Sequence, residues 1–173
     1  TKHITNMKNV EKADRLHLGG LIGNLNNGQY VIPDFQRDFE WEPWDVKDLL
    51  SSIFMDYYIG TLLLWKGNTD NFKTLSCEPI YAYSGKKDPR HIVLDGQQRL
   101  TTLYLVYWYF ALKKNKMQDY VVQFNRFKYQ TRQSTNSFLI KLINDFTYED
   151  FLQKDKNLIN KIENKKWFFS NWA

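Results

Sequence analysis

His91-Ile92-Val93-Leu94-Asp95-Gly96-Gln97-Gln98-Arg99-Leu100-Thr101-Thr102-Leu103 is the stretch from which the rest of the chain can be placed. Three apolar residues, Ile92 to Leu94, run into an Asp-Gly pair, and a long apolar segment from Leu100 to Leu112 follows at once. Short apolar runs bounded by turn residues read as buried strands and long ones as helices. The stretch therefore predicts strand, tight turn, helix, with Gln97, Gln98 and Arg99 on the first helical turn. At a helix start the leading N–H groups have no intrahelical partner, and the aligned peptide dipoles add roughly half a positive charge. Such a start is an anion site, and Arg99 adds a planar fork that fits phosphate oxygens two at a time. Gly96 allows the sharp turn and the close approach of a ligand. Asp95 does not suit a bare phosphate site, because a carboxylate repels phosphate. It suits a divalent metal, an oriented water or a ribose hydroxyl, and capping of the helix is an equally open role. An ordinary surface arginine is the plain alternative for Arg99.

Working outward, Leu16, Leu18, Leu21, Ile22 and Leu25 recur at helical spacing, with Gly28 a candidate C-cap. Tyr30 to Ile32 reads as a strand ended by Pro33. A second Gln-Arg pair, Gln36-Arg37, follows, and two arginines converging on one pocket would suit a triphosphate. Glu42-Pro43-Trp44-Asp45 carries the signals of a helix start, and Val46, Leu49, Leu50, Ile53 and Phe54 give that helix one apolar stripe. Tyr57 to Gly60 ends it. Thr61 to Trp65 reads as a buried strand, and Ile80–Tyr83 with His91–Leu94 as hairpin arms. The helix after Arg99 is apolar nearly all round, which predicts burial on both sides, between the sheet and C-terminal helices. Tyr120 to Phe127 reads as a further strand. Ser134 or Thr135 is a candidate cap for a helix through Asn144. Thr147 to Asp150 starts a short helix, and Leu158, Ile159 and Ile162 mark the last.

The bulk numbers set limits. At 173 residues the chain can bury one real core, and with aromatics at 17% much of that core is expected to be Phe, Tyr and Trp. The net charge of +5 permits a nucleic-acid partner without demanding one. The surplus gathers at Lys113, Lys114, Lys116, Arg126, Lys128 and Arg132, then at Lys154, Lys156, Lys161, Lys165 and Lys166, for which a solvated face is the plain reading. Cys77 is the single cysteine, so neither an intrachain disulfide nor a thiolate zinc site can form. His3, His17 and His91 show no ligand spacing. There is no run of ~18 apolar residues and no signal-peptide-like start, so no membrane span and a cytoplasmic location are expected.

Asp95-Gly96-Gln97-Gln98-Arg99-Leu100-Thr101-Thr102-Leu103 resembles the DGQQR motif of the GmrSD-type restriction endonuclease N-terminal domain family. Three further blocks stand in family order: Ile32-Pro33-Asp34-Phe35-Gln36-Arg37-Asp38-Phe39-Glu40-Trp41, Leu49-Leu50-Ser51-Ser52-Ile53, and Tyr58-Ile59-Gly60-Thr61-Leu62-Leu63-Leu64-Trp65. The resemblance implies an α+β fold, a small mixed sheet of ParB/sulfiredoxin-like type flanked by helices, with a helical C-terminal part. The resemblance covers roughly Leu18 to Leu112; with the polar, aperiodic start read as an N-terminal arm at 1–14, the chain divides into that arm, a DGQQR core at 15–113, and a mostly helical extension at 114–173 whose aromatic end, Trp167 to Trp172, is expected to continue into a further region. The resemblance also implies an NTP-binding and NTP-hydrolysing sensor domain of a modification-dependent restriction or phage-defence protein, with GTP or ATP and Mg²⁺ as cofactors. Gln36, Arg37, Gly96, Arg99, Thr101 and Thr102 would then contact the nucleotide. Asp95 would hold Mg²⁺ or position water, and Asp95, Gln97, Gln98 and Arg99 would form the hydrolytic turn. Modified DNA, a downstream nuclease domain and a second copy of the chain are the expected partners.

Two other readings compete. The first is a non-enzymatic ParB-like module reading modified DNA, with basic residues on phosphates and Trp41, Tyr57 or Tyr58 lining a pocket. The second is a sulfiredoxin-like reductase, which needs a reactive cysteine at the phosphate turn. Gln97 and Gln98 stand there instead, and Cys77 is far off in sequence. The chain carries neither a P-loop nor a dinucleotide fingerprint, and Ser51 and Ser52 have no base in view.

Overall fold

Gly96 adopts a φ of +110°, in the left-handed region that glycine enters without steric cost, and so turns a strand into a helix at one residue. This turn lies at the centre of a computed structural model that describes residues 16–27, 29–32, 39–67, 78–79, 91–125, 127, 133–154 and 157–169. In chain order the elements are α1 (Leu18–Asn26), β1 (Tyr30–Ile32), α2 (Pro43–Phe54), β2 (Leu63–Lys66), β3 (Glu78–Pro79), β4 (His91–Asp95), α3 (Gln97–Lys113), α4 (Met117–Asn125), α5 (Gln133–Asp145), α6 (Tyr148–Leu152) and α7 (Leu158–Glu163). The fold is α+β, as expected: a small mixed sheet with helices around it.

The sheet order is β2-β4-β1-β3. Parallel pairing joins β4 to β1, with Tyr30 opposite His91, while β2 and β3 run antiparallel at the two edges. The register between β2 and β4 slips at one point. Leu64 lies opposite Val93 and Leu63 opposite Asp95, so Leu94 is an extra residue on β4. Bulges of this kind bend a strand and re-aim its side chains, and they recur beside functional sites. Here the bulge directly precedes the Asp95-Gly96 turn.

Ile92, Val93 and Leu112 are fully buried. One continuous core joins Leu21, Tyr30 and Val93 to Leu100, Tyr104 and Trp108 on α3, then to Phe124, Leu139, Ile143 and Phe146 beyond it. Residues on both sides of position 114 share this core. Its aromatic contacts are specific. The Tyr104 ring stacks on Phe127 at 4.0 Å and meets Phe124 edge-on at 5.6 Å, while its hydroxyl donates to the Phe124 carbonyl. α3 does lie between the sheet and the later helices.

Several expectations need correction. Residues 120–125 are helical, within α4, not a strand. Met117, Val121 and Phe124 fall on one helical face against the core, whereas a strand would have put the exposed Val122 on the same side as the buried Phe124. The strand expected at Thr61 to Trp65 starts at Leu63 and is an edge strand, with Leu63 58% and Trp65 44% exposed. α3 is not buried all round, because Tyr107 and Phe110 remain in solvent. Ser134 and Thr135 lie inside the first turn of α5 and do not cap it. The expected hairpin partner of β4 at 80–83 lies outside the described residues, and both edges of β4 are taken by β1 and β2. The arm at 1–14, Gly28 and the Gln36-Arg37 pair also lie outside them. Thr147 does start a short helix. Its hydroxyl accepts from the Asp150 N–H, and the Asp150 carboxylate accepts from the Thr147 N–H.

Candidate functional site

Three segments distant in sequence meet at the start of α3. Burial of Leu100, Leu103 and Tyr104 seats the helix on the core, so the preceding turn of Gln97, Gln98 and Arg99 is held on a rigid element. Arg99 leans towards the loop between α2 and β2, where its Nη1 donates to the Thr61 carbonyl at 2.8 Å. The guanidinium carbon lies 5.9 Å from the centroid of the Trp41 ring, within reach of a cation–π contact. Nε is buried and has no hydrogen-bond partner among the described residues. No carboxylate among the described residues pairs with this cation. Gln98, next to it, accepts the Glu40 N–H on Oε1 at 2.9 Å. The segment carrying Glu40 and Trp41 is therefore fastened by Gln98 through its backbone and by Arg99 through its ring.

A cavity of about 240 Å³ opens beside the guanidinium, lined by Trp41, Asp45, Asp48, Leu49, Ser52, Tyr58, Ile59 and Arg99. Ordinary small-molecule pockets run to ~300–1,000 Å³, so the cavity would enclose part of a nucleotide-sized ligand and leave the rest outside. Its walls differ in charge, with Arg99 supplying the cation and Asp45 and Asp48, in the first turns of α2, the carboxylates. Asp45 also accepts the Glu42 N–H at 2.9 Å and so caps its own helix. Ser52 donates its hydroxyl to the Asp48 carbonyl, an internal bond.

Residues 18–171 match the family model of the GmrSD restriction endonuclease, N-terminal domain. The chain belongs to this family. It is also similar to the uncharacterized protein MJ0686 of Methanocaldococcus jannaschii, at 31% identity over 162 residues, which is 90% of this chain and 28% of that protein. The chain thus spans under a third of the length of that curated relative. No solved structure matches it.

Within this GmrSD-family domain the residues singled out from the sequence are divided. Gly96 and Arg99 sit together at the turn, and Gln98 supports the Trp41 segment. Gln97 is half-buried. Asp95 is exposed at the end of β4 and does not line the cavity. Thr101 and Thr102 are buried, and the Thr102 hydroxyl donates to the Gln98 carbonyl at 2.9 Å, inside the helix. Gln36 and Arg37 lie outside the described residues. Sequence reasoning missed Asp45 and Asp48 as cavity walls and the Thr61 carbonyl as the anchor of Arg99. The signals were present: the two acids sit three apart on a helix, and Thr61 stands in a block already quoted.

A Mg²⁺ ion and an NTP can be tested against these residues. Among the described residues no group of three or more His, Cys, Asp or Glu could hold a metal by itself. Mg²⁺, however, commonly takes one or two carboxylates together with phosphate oxygens and water. Asp45 and Asp48 provide two carboxylates, and the Arg99 guanidinium provides the cation of the cavity lining. The lining therefore holds both the residue type that a metal takes as ligand and a cation for an anion. No helix among the described residues is long and apolar enough to cross a membrane.

Proposed function

We propose that this GmrSD-family domain binds a nucleoside triphosphate with Mg²⁺ in the cavity beside Arg99 and hydrolyses it, as the sensor domain of a DNA restriction or phage-defence protein. The observation that carries this reading is Arg99 itself. It is a cation on a buried helix start, without a carboxylate partner among the described residues, with a buried unpaired Nε and an open cavity alongside. Arg99 holds phosphate oxygens. Asp45 and Asp48 would share Mg²⁺ with those oxygens, in the role first given to Asp95. Bound Mg²⁺ neutralises phosphate charge, which is most of what phosphoryl transfer requires. Asp95, exposed at the turn, keeps the role of orienting a water, and Gln97 stands beside it. Gln98 holds the Trp41 segment in place. Modified DNA and the nuclease belong to this reading as partners in a longer protein.

A thermal-shift screen of ATP, GTP, CTP and UTP, each with and without Mg²⁺, tests it. A ligand at 100 times its Kd adds about 2.7 kcal/mol of apparent stability, and at least one nucleotide is expected to raise the melting temperature in the presence of Mg²⁺. No shift with any of the four contradicts the proposal.

The second reading, a ParB-like DNA-binding module, draws on one feature. Tyr57 and Tyr58 are 68% and 75% exposed at the cavity mouth or beside it, where a base would stack. Binding through phosphates predicts affinity that falls steeply with salt. Oligonucleotide affinity indifferent to salt contradicts it.

A further inference from the structure

Gly60 has a φ of +102°, in the region that L side chains rarely adopt. A Cβ built there would stand 2.6 Å from Arg99 Nη2, 2.9 Å from its Cζ and 3.2 Å from its Nε. All three atoms belong to one planar group, so the guanidinium lies flat against the backbone of residue 60. The next residue, Thr61, takes Nη1 on its carbonyl. Gly96 helps from the other strand end, since a Cβ there would stand 3.4 Å from Nη1 and 2.2 Å from a Leu62 methyl.

We propose that Gly60 is a positioning residue for Arg99: the bare backbone of the 60–61 loop is the seat that sets the direction in which the guanidinium faces the cavity. This rests on the reading of Arg99 as the ligand-binding cation. The seat explains why Nε is buried without a partner. The flat contact with Gly60 and the bond to Thr61 fix the plane of the group, and Nε is left where no acceptor among the described residues reaches it. Any side chain at position 60 occupies the place of the guanidinium and turns it out of the seat.

The test uses ¹⁵N-labelled protein and three variants, Gly60→Ala, Arg99→Lys and the double variant. A slowly exchanging arginine Nε–H signal is expected in the wild type, assigned by its loss in Arg99→Lys, and it should move or vanish in Gly60→Ala. The same signal unchanged in Gly60→Ala overturns the proposal. Thermal unfolding covers the case in which Gly60→Ala folds poorly. Both Gly60→Ala and the double variant carry the backbone strain of alanine at positive φ, but lysine has no Cζ or Nη2 for the new Cβ to meet. Gly60→Ala is therefore expected to lower the melting temperature less in the Arg99→Lys background than in the wild type, and an equal or larger fall there overturns the proposal. By calorimetry with Mg²⁺ and the nucleotide found in the screen, Gly60→Ala should weaken binding by about 10- to 100-fold, and adding Arg99→Lys should weaken it little further. Fully additive losses overturn the positioning role. If the wild type binds no nucleotide, the proposed function falls, while the signal and the melting comparison still decide the seat.

Discussion

Two cations in this domain are held in opposite ways. Lys165, just after α7, forms an ion pair with Asp150 at the start of α6, and both side chains are largely buried, at 26% and 12% exposed. Its ammonium also lies 5.9 Å from the centroid of the Phe146 ring. Burial alone would raise the Asp150 carboxyl. Lys165, the Thr147 backbone and the Thr147 hydroxyl outweigh that and hold it below its ordinary value. Arg99 has a carbonyl, an aromatic ring and two glycines around it instead, one buried nitrogen left over and a cavity at its side. A cation matched to a carboxylate inside the protein has its charge answered there. A cation seated on neutral groups has no such answer within the described residues, and on the proposed reading its charge serves a ligand, at the cost of an unsatisfied donor.

Mutations should separate the two. The largest effect on stability is expected from Asp150→Ala, which strips Lys165 of its partner and removes the α6 cap. Breaking a fully buried pair costs ~3–5 kcal/mol. This one is partly solvated, so about 2–3 kcal/mol is expected, a fall of roughly 5–10 °C in melting temperature, with nucleotide binding unchanged. Differential scanning calorimetry and binding measured on the same samples check both halves. A variant with wild-type stability would remove the contrast.

Acid should sharpen it. Because the folded pKa of Asp150 is lowered, its contribution to stability is fully present above the ordinary carboxylate value and is lost as the pH falls through the folded value. The stability gap between wild type and Asp150→Asn should therefore stay constant above about pH 5 and shrink below about pH 4. Urea titrations across that range measure it, and a gap that widens in acid would reverse the assignment. A smaller effect is expected at the other cation. Trp41→Ala removes a cation–π contact of ~0.5–1 kcal/mol, so nucleotide affinity should weaken about two- to fivefold with little change in melting temperature.

The contrast also marks how far the sequence could be read. The strand–turn–helix at Asp95-Gly96 was legible because glycine punctuation and a long apolar run both act locally. Residues 120–125 were misread because Tyr-Val-Val followed by Phe carries strong β-propensity. What decides their conformation is a tertiary partner, the Tyr104 ring packed against Phe124 and Phe127, and local preference yields to such packing. Position 60 was quoted in a motif, yet its meaning lies in a guanidinium 39 residues away, and no local pattern carries that. Thr101 and Thr102 show the converse. They stand in the motif beside Arg99, but helical rotation takes both into the core.

The most direct measurement is isothermal calorimetry of the Mg²⁺–nucleotide complex with wild type, Arg99→Ala and Lys165→Met side by side. Arg99→Ala is expected to keep its melting temperature within a few degrees and lose at least tenfold in affinity, while Lys165→Met loses stability and binds as the wild type does. Equal affinity in wild type and Arg99→Ala would contradict the account.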